Sequence, residues 1–521
     1  MTLGAPDSVA SGLLAGPGPR WLTIPPHRPF LKDLASALWR ALAHGGPEGL
    51  ADALVLVPTR RAARELASAF LAVTPGPATL LPQIRALGDL DEGESPFEPG
   101  DLTGDLPPAI SPWRRRFELA GLVAQVGAED RREFEAGEAL ALADALAALL
   151  DAWQIEEASL DAARPVLRDL AEGEFARHWQ VSARFLDVAL DLWPRRLEAL
   201  GLMDPAARRT ALTRGLAERW RIAPPPGVVV AAGSTGSAPA TAALLAAIAA
   251  APRGAVILPG LDRDLAEAAW AEIDAQHPQA SMKRLLDQVG VPRAEVRLLD
   301  LDAGSEAEGR WRRRVINEAL RPPDRTADWR DVIDSLRREA SAGVDALAQG
   351  LAGLSLIETR HEEETAAVAA LLLRETLETP GKTAALICPD ASLARRVSAR
   401  LRRWGIVADS SAGTPLALAR AARLAALLAR ASVDPLDPVT WLALAKHPLT
   451  RLGGTPDPDG PILERLERQG LRGPRPRARS ELLRRLAGAP EAQDLAERLG
   501  ACLDHVGAPF KTPSGGGAAP A

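Results

Sequence analysis

The sequence predicts an α/β protein, with parallel-sheet domains interrupted by a large helical insertion. Three observations predict it. Short, unbroken apolar runs such as Leu54–Val57 have the pattern of strands buried on both faces of a parallel sheet. These runs alternate with helix-length segments whose apolar residues recur every 3.6 positions, the order of βαβ units. Between Trp113 and Trp220 that alternation stops and nearly everything reads as helix. At 521 residues the chain exceeds one hydrophobic core and should form about two to four domains.

Residues 1–20, broken by Pro and Gly, read as a disordered start. Trp21–Ile24 is the first strand, followed by the turn Pro25–Pro29 and a helix from Phe30 to about Ala43. Leu54–Val57 is the second strand. Pro58 stops it, Thr59 can cap the next helix, and Arg60, Arg61 and Arg64 cluster in that helix's first turn and a half. Ala78–Leu87 reads as a third strand and the acidic, Pro/Gly-rich piece Asp89–Pro108 as a loop, so 21–110 form the first part of one domain. Residues 111–222 are the helical insertion, where LADALAALLDAWQ and HWQVSARFLDVALDLWPRRLEAL carry the helical spacing. The trio Pro224–Pro226 marks the return to α/β. Strands Val228–Ala232 and Ala255–Leu258, joined by helix Ala240–Ala250, complete the first domain over 223–300. A helical connector around Trp311–Leu336 fills 301–350. A second α/β domain, 351–434, begins with strand Leu354–Ile357, helix Glu362–Leu377, strand Ala384–Cys388 and helix Ala391–Trp404. Residues 435–510 are helical and loop-rich, and the low-complexity tail 511–521, KTPSGGGAAPA, reads as disordered.

Composition narrows the function classes. Charged residues at 25% and apolar ones at 47% describe an ordinary folded chain. Lysine occurs only at Lys32, Lys283, Lys382, Lys446 and Lys511, while arginine is abundant and Tyr is absent. With so much Ala, Gly and Pro, this is the bias of a GC-rich genome, and arginine count alone says little about partners. A net charge of −6 argues against a protein that coats nucleic acid non-specifically, yet it permits local basic grooves. Cys388 and Cys502 are the only cysteines, too few for a disulfide framework or a four-thiolate cluster, so the setting reads as cytoplasmic. No signal peptide and no apolar run of membrane-spanning length is present.

In an open α/β sheet the ligand crevice lies beyond the carboxyl ends of the strands. A strand followed at once by a capped, arginine-bearing helix offers backbone N–H groups, a hydroxyl and guanidinium forks to a phosphate there. Thr59, Arg60, Arg61 and Arg64 are therefore candidate phosphate contacts, with Arg85 from the next segment expected nearby. The alternation of sheet and helical insertion is the layout of a superfamily 1 helicase, but the positions where such a motor shows its chemistry are empty. A phosphate loop needs successive backbone N–H groups, glycines and one lysine. The turn Pro25-Pro26-His27-Arg28-Pro29-Phe30 has three prolines, which carry no N–H, and no lysine. The one GKT, Gly381-Lys382-Thr383, has Thr376 where the motif's first glycine belongs, and it opens a strand instead of a helix. In the strand that would carry Asp-Glu, Ala231 and Ala232 can neither hold Mg²⁺ nor orient a water. The loop after that strand, Gly233-Ser234-Thr235-Gly236-Ser237, either binds an anion at a helix N-terminus or simply turns the chain. Ser234, Thr235 and Ser237 join the candidate contacts. No catalytic, nucleotide or metal residue is assigned.

Other constellations are weaker. His27, His178, His277, His361, His447 and His505 lie far apart with no ligand spacing. Glu362–Glu364 suits a helix dipole better than catalysis. Arg312–Arg314 and the loop with Arg472, Arg475, Arg477 and Arg479 are the remaining basic patches, each read first as a solvated face.

The segments VLVPTRRAARELASAF, LLPQIRALGDLDE, SPWRRRFELAGLV, HWQVSARFL, GLMDPAARR, VVVAAGSTGSAPATAALLAAI, GAVILPGLD, HPQASMKRLL and RRWGIVADSSAGTPL resemble the N-terminal half of the AddB family. AddB is the second subunit of the bacterial AddAB helicase–nuclease, and the likeness is to its alphaproteobacterial form over about Trp21–Leu452. The resemblance implies repair of DNA double-strand breaks by homologous recombination, in which a duplex end is unwound and trimmed until a hotspot sequence is met. It implies an AddA-like helicase–nuclease partner in a heterodimer, contact with duplex ends and single-stranded DNA, and motor-like domains serving as a tracking and scanning scaffold. The family's nuclease, with its Mg²⁺ and a cysteine-held iron–sulfur cluster, lies at the far C-terminus. Those carboxylates and cysteines have no counterpart here, so a truncated or frame-shifted product is the simplest expectation and a short paralogue the other. Two functions stay open: a repair subunit that binds DNA and its partner without catalysis, and an inactive α/β scaffold that contacts only protein.

Overall fold

The computed structural model describes residues 12–43, 48–74, 80–87, 106–129, 134–158, 188–300, 309–326, 328–341, 343–411, 413–452 and 460–508. The chain divides into two units, Met1–Leu354 and Ser355–Ala521.

The first unit is built on six parallel strands: β1 (Trp21–Ile24), β2 (Leu54–Val57), β3 (Gln83–Ala86), β4 (Val229–Ala232), β5 (Gly254–Pro259) and β6 (Arg297–Leu298). Their spatial order is β3-β2-β4-β5-β1-β6. Trp21 pairs with Val256, and Leu54 pairs with both Gln83 and Val229. Side chains alternate between faces. Leu22, Ile24, Val55, Val57, Val230 and Ile257 meet helices α1 (Phe30–Leu42) and α2 (Arg60–Val73) through Leu34, Leu38, Leu66 and Phe70. The insertion then contributes α3 (Pro112–Glu129), α4 (Ala136–Ile155) and α5 (Trp193–Leu200). Helices α6 (Pro205–Ile222), α7 (Pro239–Ala250) and α8 (Ala280–Val289) cover the other sheet face. They supply Trp220, Leu244, Ile248 and Leu285 to the core around Trp21, Leu56, Val229 and Val256.

Burial on both faces explains why the strand sequences read as continuous apolar runs. The polar Thr23 among them is fully buried and satisfied: its hydroxyl donates to the Leu258 carbonyl at 3.0 Å and accepts from the Leu261 N–H at 3.1 Å. The predicted strands at 21–24, 54–57, 228–232 and 255–258 fall on β1, β2, β4 and β5. The third is shorter than predicted, with part of 78–87 outside the described residues. Strand β6 escapes the sequence reading because two residues carry no pattern.

The helical insertion has its own core of Leu119, Val123, Leu146, Leu150, Trp193 and Leu197. At its centre Arg115 pairs with Asp151 at 2.8 Å and with Asp204 at 2.9 Å. Asp204 also accepts from Gln154 at 2.7 Å and Trp193 at 2.8 Å. Asp204 stands where a helix cap would be but turns its oxygens inward, tying α3, α4, α5 and α6 together. Most of the expected loop 89–108 and all of HWQVSARFL lie outside the described residues.

Three expectations are corrected. Residues 12–20 are ordered: Leu13 is buried in the core with Leu22 and Ile24, and Arg20 donates to the carbonyls of Ala251, Pro252 and Gly254. The connector is part of the first unit, where α9 (Arg310–Ala319), α10 (Trp329–Glu339) and α11 (Ala346–Leu351) close around Val315, Val332, Leu336 and Ala346. The third correction concerns the second unit. Leu354–Ile357 and Ala384–Cys388 form no strand; Leu356 is 88% and Ile387 95% exposed. Their helices do form. Helix α12 (Glu362–Thr376) packs on α13 (Ala391–Arg402) through Ala366, Ala370, Val397 and Leu401, but a strand exists only with a neighbour to bond. Further on, Trp441, Leu444, Leu466, Leu482 and Leu499 make a second core between helices.

Candidate nucleic-acid interface

Strand order decides where a site can form. The chain runs β1 to β2 to β3 towards one edge with α1 and α2 on one face, then β4 to β5 to β6 towards the other with α7 and α8 on the opposite face. Neighbouring strands therefore send their next segments to opposite faces at two places, β2/β4 and β5/β1. Such switch points open crevices at the carboxyl edge.

The β2/β4 crevice carries most of the predicted residues. Thr59 is the N-cap of α2, its backbone extended (φ −140°, ψ 157°) and its hydroxyl accepting from the Ala62 N–H at 3.1 Å. Arg60, Arg61 and Arg64 come next, all exposed, and no acidic residue stands in that first turn. Beside them the β4 turn begins at Gly233, whose φ of +81° favours glycine. A Cβ there would lie 3.4 Å from the Phe30 ring and 3.5 Å from Pro58, so the two turns touch. Ser234 accepts from the Gly236 N–H at 3.2 Å and shapes the turn. Thr235 is half-buried and Ser237 exposed, directly before α7. The structure thus brings Thr59, Arg60, Arg61 and Arg64 to one edge with Ser234, Thr235 and Ser237.

It does not bring Arg85 to them. Arg85 pairs in register with Leu56, whose side chain belongs to the core under α7, while its neighbour Ile84 packs on the α1/α2 side. The two-residue alternation of β3 turns Arg85 to the sheet face opposite α2.

The β5/β1 crevice is a cavity of 990 Å³ lined by Pro25, Pro26, Leu261, Asp262, Arg313 and Asn317 among others. Sequence reasoning misses it, because α9 reads as a connector. The Asp262 carboxylate accepts from the N–H groups of Asp264 and Leu265 at 2.9 Å and from Asn317 Nδ2 at 3.0 Å. Arg313 lies 3.2 Å from Asp264 and 3.1 Å from His27 Nδ1. Arg314 pairs with Glu318 at 2.6 Å and Glu339 at 3.0 Å, and its guanidinium holds Glu339 below the usual carboxylate range. Arg312 donates to the Ala352 carbonyl. The arginine run is therefore neither a solvated face nor an open basic patch, since its charges are engaged inside the fold. The 472–479 loop differs and is a solvated face: Arg472, Arg475 and Arg477 are exposed, with Arg472 paired to Glu467 at 3.0 Å, Arg475 to Asp434 and Arg479 to Asp504 at 2.5 Å.

The residues at the positions expected for motor chemistry serve other ends. Arg28 clamps the β1 turn to Asp33 at 2.8 Å, and α1 starts after Pro29 with no side-chain cap. Ala231 and Ala232 sit in the two core layers, at most 1% exposed. Gly381 turns with φ +80° after α12, and no helix starts at Lys382 and Thr383. The residues present do not fit the cofactors the resemblance implies. Cys388 gives its Sγ–H to the Asp390 carbonyl at 3.2 Å, Cys502 is exposed on a separate helix, and two thiols cannot hold a four-thiolate cluster. Alanine methyls offer Mg²⁺ no oxygen. Among the described residues, no helix is long and apolar enough to cross a membrane.

A scan against protein-family models and a search of the curated proteins both return no match for this chain.

Proposed function

We propose that the chain is a non-catalytic, AddB-like, helicase-related subunit that binds DNA ends during double-strand break repair by homologous recombination, in the cytoplasm and beside an AddA-like helicase–nuclease partner. The observation that carries this reading is the β2/β4 crevice: exposed Arg60, Arg61 and Arg64 at a helix N-terminus, against a Ser/Thr turn, in a sheet whose motor positions are proline and alanine. A helix N-terminus with guanidiniums is suited to phosphate, and phosphate contacts supply affinity without sequence choice. The pairing of Arg313 and Arg314 inside the fold favours a second reading, a scaffold that meets only protein.

The charge-reversed variant Arg60→Glu/Arg61→Glu separates the two. DNA binding predicts at least about tenfold weaker affinity for a blunt duplex end, with the fold intact because exposed substitutions shift stability by about 0.5 kcal/mol or less. Unchanged duplex affinity alongside intact partner capture supports the protein scaffold instead.

A further inference from the structure

Helix α3 carries its core residues in one phase, with Arg115, Leu119, Ala120 and Val123 buried. Trp113 and Phe117 fall on the opposite phase. They are 67% and 59% exposed, and their rings lie near-parallel, with centroids 6.5 Å apart and planes at 24°. Two large aromatics held together in water form an unfavourable surface unless something covers it. The local charge says what. No acidic residue stands in the first turn of α3, and the Ser111 hydroxyl, accepting from the Arg114 N–H at 3.4 Å, meets its positive end without a charge. Arg114 and Arg196 converge on the single carboxylate of Glu118, at 3.6 Å and 2.8 Å, and hold it below its ordinary range, Arg196 most strongly. Arg116 pairs with Asp144 at 2.8 Å, and Arg208 donates to the Pro107 carbonyl on the chain entering the helix. Arg114, Arg116 and Arg196 thus stand with Glu118 and Asp144 beside the aromatic pair, three guanidiniums to two carboxylates.

We propose that Trp113 and Phe117 stack unpaired bases of single-stranded nucleic acid, whose phosphates run past Arg114, Arg196 and Arg208. Bases offer a π-face whatever their identity, so such a platform holds a strand without reading sequence. The proposal rests on the DNA-binding reading above but uses a different surface from the Arg60/Arg61 crevice. It leaves catalysis out.

The test uses the full chain with a fluorescein-labelled single-stranded oligo(dT) and, separately, a blunt duplex. Trp113→Ala/Phe117→Ala should weaken oligo(dT) binding by at least about tenfold, Trp113→Phe should retain most of it, and duplex affinity should stay at the wild-type level. Photo-crosslinking of an iodouridine-substituted strand to the wild-type chain, which needs no variant to fold, should map to the 112–129 peptide. Undiminished oligo(dT) binding by the double variant, or crosslinks confined to other peptides, overturns this inference while the duplex reading stands. A double variant that loses only partner capture overturns it too and assigns the face to protein. If the wild-type chain binds neither DNA, both readings fall.

Discussion

Asp204 shows how one residue serves a different purpose from the one its position suggests. Just before Pro205 it has the placement of an N-cap, yet its carboxylate faces Arg115, Gln154 and Trp193 in the centre of the insertion. Removing Asp204 leaves Arg115 only the half-buried Asp151 and strips Gln154 and Trp193 of their acceptor, a loss on the scale of breaking a buried pair, about 3–5 kcal/mol. Asp204→Ala should therefore lower stability by that order in a denaturant titration, and a loss below about 1 kcal/mol would show that Arg115 is satisfied without it. Thr59 is the opposite case, because its cap is readable from Pro58 before it and an amphipathic run after it. Arg85 is not. Which face a strand residue takes depends on register, and register is set by partners distant in sequence.

Strand-like sequence is only half of a strand. Leu54–Val57 and Leu354–Ile357 both read as short strands, but the first has β3 and β4 to bond and the second, broken by Ser355, has no strand beside it among the described residues. The helices needed no such partner, which is why the predicted segments near 362–377 and 391–404 match α12 and α13 closely. Between them, Arg400 and then Arg396 hold Glu363 below the ordinary carboxylate range. A carboxylate with a lowered folded value stabilises above its unfolded titration point, about pH 4.3, and that contribution is lost as pH falls through the folded value. The acid loss of helix signal from α12 and α13 below about pH 4 should accordingly be smaller in Glu363→Gln than in the wild-type chain. The turn after β1 gives an element-scale prediction too. With Pro25, Pro26 and Pro29 in place of donors and Ala231/Ala232 in place of carboxylates, ATP turnover should stay at background. Turnover abolished by Lys382→Ala would contradict this and restore the Gly381–Thr383 motif.

At the scale of the molecule the two units differ in what holds them. The first has a six-stranded sheet covered on both faces; α12 and α13 of the second pack on each other through Ala366, Ala370, Val397 and Leu401 with no sheet beside them among the described residues, and Leu356, Ile387 and Val407 are exposed. Exposed apolar chain of this kind is an aggregation and cleavage hazard. Limited proteolysis should cut 354–361 and 380–390 first and leave 20–300 intact longest; a resistant 354–508 fragment would reverse that order. The α/β class is readable in the sequence because strands buried on both faces of a parallel sheet leave continuous apolar runs. The β5/β1 cavity and the Trp113–Phe117 face are not, since both depend on how distant helices pack. Salt titration of duplex-end binding by the full chain tests the central claim most directly. Three arginine–phosphate contacts predict that log K falls linearly with log salt with a slope of about −2.7, and less steeply in Arg60→Glu/Arg61→Glu. Binding that ignores salt, or no binding even at low salt, would contradict it.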